Sequence, residues 1–174
     1  MSCRAFMPGG VIFDNPTMLP ELLQYVLVAS GVTVADDCIT KFNEFRMSHG
    51  KTKYIIFKIS DDQKTVVVDK VGTDQDYEAF RNDLENAKDA SGKLACRYAV
   101  YDVEYELGAT EGKRSKIIFI SWVPEGVPIR SSMIYASTRE DLKNALNVST
   151  SIHADDKGDI EWKAVLKEAS SGKA

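Results

Sequence analysis

Residues 95–107, ACRYAVYDVEYEL, and 115–123, SKIIFISWV, read as two long strands joined by the charged loop GATEGKR (108–114). The first alternates around aromatic and aliphatic residues. The second is apolar at nearly every position, a pattern a strand carries when both its faces are covered. These two runs predict the centre of a sheet with helices on both sides.

The flanking segments supply the rest of that architecture. Cys38, Ile39, Phe42 and Phe45 recur every three or four residues behind Asp36 and Asp37, which suit a helix N-terminus. TKYIIFKI (52–59) and KTVVVDKV (64–71) are β-rich runs joined by SDDQ, an antiparallel hairpin pattern. Tyr77, Phe80, Leu84 and Ala87 give a second amphipathic helix, with Thr73 or Asp74 as its candidate cap. PEGVP breaks the chain after residue 123, and Trp162, Val165, Leu166 and Ala169 mark a last helix. The order is helix, two strands, helix, two strands, helix, short strand, helix. That predicts an α/β chain of the α+β type, a mixed sheet flanked by helices on both faces.

A length of 174 residues suits one domain with a proper core. The net charge of -4 argues against a general nucleic-acid binder. Cys3, Cys38 and Cys96 are spaced for neither a disulfide framework nor a zinc site, and point to a reducing compartment. No apolar run is long enough to span a bilayer. Leu19–Gly31 ends in small residues as a cleavable signal does, but Glu21 and Gln24 interrupt its apolar stretch and only Arg4 supplies positive charge upstream. Residues 1–28 carry three of the five prolines and show no sustained period, although Leu19–Val28 could make a short helix or strand.

No catalytic constellation emerges. His49 and His153 are the two histidines, far apart and each in a polar segment, which reads as surface. No H-E-x-x-H, paired-cysteine or G-x-S-x-G motif is present, and EGKRSK (111–116) lacks the earlier glycine and helix start of a phosphate loop. The carboxylate pairs Asp61/Asp62 and Asp155/Asp156 read as solvated turns, and Asn147-Val148-Ser149 as a sequon without meaning in a reducing compartment. The chain is expected to be no enzyme and to need no metal or cofactor.

The stretch MIYASTREDLKNAL (133–146) admits two helix starts. Ser137-Thr138-Arg139-Glu140 fits a capping box, or the helix begins earlier and passes through Ser137. Either way Ile134, Thr138, Leu142 and Ala145/Leu146 share a stripe that should face the sheet, and Met133 lies about 100° round from Ile134. Periodicity leaves Met133 either a flexible core filler or an apolar knob on a charged, exposed helix face, the form of a helix-in-groove contact.

From about Ala29 to the C-terminus the chain resembles the actin-depolymerising factor (ADF)/cofilin family. SGVTVADDCITKFNEF (30–45) is similar to that family's N-terminal segment and first helix. CRYAVYDVEYE (96–106) and EGKRSKIIFISWVPEGVPIRSSMIYASTREDLKNAL (111–146) are similar to its central strands and long actin-binding helix. The resemblance implies the ADF-homology fold, with a mostly antiparallel sheet, over residues 29–174, and leaves 1–28 as an extension of uncertain status. It implies a monomeric cytoplasmic protein of the actin cytoskeleton, also able to enter the nucleus, that binds actin monomers and filaments with ADP-actin preferred. It further implies filament severing and depolymerisation, and competing phosphoinositides on the same basic surfaces.

By the same resemblance, Ser30, Gly31, Val32, Arg130, Met133, Arg139, Glu140 and Lys143 contact monomer and filament subunit alike. Arg114, Lys116, Lys167 and Glu168 form a surface for filaments alone. Ser30 matches a serine that many relatives phosphorylate near a free N-terminus, yet here 29 residues precede it. The departures thin the positive charge. Ser132 and Asn144 stand where relatives usually carry basic residues, and Glu168 and Ser171 where some do. The alternative is therefore an ADF-homology module that binds actin or an actin-nucleating complex without efficient severing.

Overall fold

The computed structural model describes residues 31–106 and 112–172. The two long runs become β4 (Arg97–Glu106) and β5 (Lys113–Trp122), antiparallel along their whole length from Arg97↔Trp122 to Glu106↔Lys113. Upstream lie β1 (Thr33–Val34), α1 (Asp36–Met47), β2 (Tyr54–Ile59), β3 (Thr65–Gly72) and α2 (Tyr77–Glu85). Downstream come α3 (Ile129–Leu146), β6 (Thr150–Ala154) and α4 (Trp162–Ser170). The sheet runs β1-β3-β2-β4-β5-β6, antiparallel except for the two outer pairings, β1 with β3 and β5 with β6.

Both faces of this sheet are buried, which explains the unbroken apolar runs. Ile55, Phe57, Tyr98, Val100 and Phe119 point into one layer with Phe42 and Phe45 of α1 and Tyr135, Leu142 and Leu146 of α3. Their neighbours Tyr54, Ile56, Ala99, Tyr101, Ile118 and Ile120 point the other way, onto Phe80 and Leu84 of α2 and Val165 and Ala169 of α4. Each fully buried leucine or phenylalanine contributes about 1.5–3 kcal/mol, so both layers hold the sheet. Cys38 and Cys96 lie in the first layer, where burial pushes their thiols up to about 12 and about 11. They are packing groups there.

Several local expectations change. The cap of α2 is Asp76, whose carboxylate accepts the Glu78 N–H at 3.1 Å, while Thr73 and Asp74 lie outside the helix. Ala87 falls beyond its last turn. Of the two helix starts the earlier one holds and the capping box does not form: α3 starts at Ile129 behind Pro128 and passes through Ser137, whose Oγ donates back to the Ile134 carbonyl at 3.0 Å. On its inner stripe Tyr135, Thr138, Leu142 and Leu146 are buried, Ile134 is half-buried, and Ala145 faces solvent. Asn147, the sequon residue, ends the helix in the left-handed region at φ 52°. The strand β1 carries no local signal and exists because Thr33 N–H reaches the Lys64 carbonyl at 2.8 Å.

Candidate functional site

Helix α3 turns one face outward. Ile129, Arg130, Met133, Ala136, Ser137, Glu140 and Asn144 are exposed along it, at helical spacing. Ile129 is 79% and Met133 66% exposed, one turn apart, so the helix offers an apolar pair at its N-terminal end. Ile129 was missed from sequence, although its i,i+4 spacing to Met133 is the signal that could have found it. Burial on the opposite stripe sets this rotation. Thr138 Oγ1 donates to the Ile134 carbonyl at 2.8 Å, the Tyr98 hydroxyl to the Tyr135 carbonyl at 2.5 Å, and Leu142 is wholly covered.

Beyond the apolar pair the face becomes ionic. Glu140 stands between two cations, with Arg139 Nε 3.5 Å from Oε1 and Lys143 Nζ 3.2 Å from Oε2. Arg139 Nε is screened from solvent yet makes no hydrogen bond, and Asp141 Oδ2 is likewise an unpaired acceptor. Such groups hold a directional pairing capacity that an arriving partner can satisfy.

The N-terminal segment is divided by burial. Ser30 lies outside the described residues. Gly31 is exposed with φ +73°, a conformation L side chains rarely adopt. Val32 is 2% exposed, in the core beneath α1, so its side chain anchors the segment.

The second set sits on the other side of the molecule. Strand alternation places Arg114 and Lys116 on the sheet face of Ile118 and Ile120, which is the face α4 covers. Lys167 and Glu168 are exposed in the last turn of α4, which closes at Ser171 in the left-handed region. Thus α3 and the Arg114–α4 surface lie on opposite sheet faces. At the edge near the start of β5, a groove of about 630 Å³ gathers Arg46, His49, Lys113, Arg114 and Lys116 with Asp102 and Glu104. Burial raises the Asp102 carboxyl above its ordinary value, with Lys53 opposing and Glu104 adding to the effect. Lys53 itself is buried and paired with Glu104. His49 and His153 are exposed. Among the described residues no group of histidine, cysteine and carboxylate side chains is arranged to hold a metal ion, and no helix is long and apolar enough to cross a membrane.

A family described as cofilin/tropomyosin-type actin-binding protein matches residues 31–170, a span holding both surfaces. The chain belongs to the cofilin/ADF family. Cofilin of Gibberella zeae is 45% identical over 150 residues, covering 83% of this chain and 97% of that one. Cofilin of Saccharomyces cerevisiae is 41% identical over 144 residues, covering 82% and 95%. Among solved structures, Streptomyces griseoflavus cofilin superposes with a TM-score of 0.70 at 34% identity, covering 82% of this chain and 99% of that one. Plasmodium berghei actin depolymerization factor 2 gives 0.66 at 29% identity, covering 82% and 99%. The ADF/cofilin fold therefore extends over both faces of the sheet, and α3 is its long solvent-facing helix.

Proposed function

We propose that this protein binds actin monomers and filament subunits, with ADP-actin preferred, and disassembles filaments by severing and depolymerisation in the cytoplasm. The supporting observation is the outer face of α3, an apolar pair, Ile129 and Met133, leading into the Arg139–Glu140–Lys143 row. A protein surface of this kind buries its apolar centre in a cleft while the ionic rim sets orientation. Gly31, anchored by the buried Val32, completes the monomer contact with Arg130. Arg114, Lys116, Lys167 and Glu168 form the filament contact, and the basic groove beside them takes phosphoinositide headgroups in competition. Residues 29–174 are the binding domain, 1–28 its extension, and Ser30 the phosphorylation site. The activity is binding without turnover.

Filament cosedimentation, a monomer-binding titration and time-resolved severing on labelled filaments test this. Binding to neither form of actin overturns the proposal. The second reading, a module that binds without severing, is favoured by Ser132, Asn144 and Glu168 on the two surfaces. It predicts cosedimentation with no increase in filament breaks.

A further inference from the structure

Beside the first turns of α3 lies a groove of about 550 Å³ that neither contact surface uses. Ile59, Leu94, Val127, Ile134 and Tyr135 give it an apolar lining, and Lys88 stands among its charged residues. Leu94 is 44% exposed there, and Ile129 and Met133 protrude from the same end of the helix. Together these make an apolar strip bordered by the charges of Lys58, Asp61, Lys88, Asp89 and Arg97.

We propose that residues 19–28 of this same chain, LPELLQYVLV, dock in that groove and hold the apolar end of α3 covered. The point of entry carries the argument. Thr33 N–H bonds the Lys64 carbonyl at 2.8 Å, so the chain enters the sheet at the β2–β3 turn. That same turn, through Ser60, Asp61 and Gln63, walls the groove. Residues 19–28 end within a few positions of Gly31, and ten extended residues reach about 33 Å. Seven of those ten are leucine, valine or tyrosine, which suits an apolar lining. Their one charge, Glu21, suits a lining in which three cations, Lys58, Lys88 and Arg97, outnumber two carboxylates, Asp61 and Asp89. A tether this short gives an effective concentration on the order of millimolar, so weak intrinsic affinity suffices. Resting on the actin-binding reading above, the docked segment competes with actin. If docked nine-tenths of the time, it lowers apparent monomer affinity about tenfold.

The test compares the full chain with its variant L22D/L23D/V26D, whose substitutions all lie outside the described residues. Hydrogen exchange without actin should be at least about fivefold faster at residues 94–96 and 127–135 in the variant. Monomer binding should tighten about tenfold. The groove-side variant Leu94→Asp should reproduce the faster exchange at 127–135. Unchanged exchange in both variants overturns the proposal. Protection that rises with protein concentration also overturns it, assigning the groove to a second copy. Faster exchange with unaltered actin affinity overturns the competition. Faster exchange when neither chain binds actin upholds the docking and removes the functional reading instead.

Discussion

The Tyr135 hydroxyl oxygen accepts the backbone N–H of Ile59 at 2.9 Å, joining the first half of α3 to the end of β2. The Tyr98 and Tyr135 rings pack beside it, tilted by 35° with centroids 4.8 Å apart. This contact sets the rotation of α3, and with it the outward placing of Ile129 and Met133. Tyr135→Phe leaves the Ile59 N–H buried without its acceptor. The expected loss is about 1–3 kcal/mol in urea unfolding. A midpoint equal to that of the natural chain would mean another acceptor takes over.

Met133→Ala with Arg139→Ala removes the proposed apolar knob and one of its flanking charges. Met133 is exposed and Arg139 half-buried, so the melting temperature should fall by no more than about 4 °C. Monomer affinity should fall at least about tenfold by fluorescence titration. Unaltered affinity would remove α3 as the contact.

Glu168→Arg with Ser171→Lys adds positive charge at the exposed end of α4. Severing, counted as breaks per filament length per minute, should rise severalfold, and more at low salt than at high. A rate matching the natural chain at both salt levels would show that α4 charge does not limit severing.

Asp102 provides a pH test. Burial raises its folded pKa above the unfolded one, so the native state holds the proton more tightly. Stability therefore falls as pH rises between the two values, and the full penalty stands above the folded one. Asp102→Asn should melt higher than the natural chain at pH 7. The difference should vanish once the pH is below the unfolded carboxylate's range. A variant that melts lower at pH 7 would mean that Asp102 is needed to balance Lys53.

Gly72 lies against the Tyr54 ring, and a Cβ there would overlap it. That ring cannot retreat easily: its hydroxyl donates to Asp83 at 2.5 Å and it packs on Phe80 at 4.9 Å. Gly72→Ala should cost about 1–3 kcal/mol by thermal or urea unfolding. A smaller loss would mean that β3 shifts to make room.

Much of this fold was legible in local pattern. The runs 95–107 and 115–123 had to be internal strands because their side chains are apolar toward both faces, and Cys38, Phe42 and Phe45 fall on one helical stripe whatever surrounds them. Local pattern left two starts of α3 open, since Ser137-Thr138-Arg139-Glu140 satisfies a capping rule that Pro128 and the docking of the preceding turns override in favour of the earlier one. The strand β1, two residues long, was not legible, because its partner lies 32 positions away at Thr65. For the candidate site the division is sharper. A period of 3.6 turned Ile134, Thr138 and Leu142 inward but left Met133 open between core and surface and did not single out Tyr135. Tertiary contact decided it: Tyr135 alone carries a hydroxyl that reaches the Ile59 N–H, and that bond leaves Met133 in solvent.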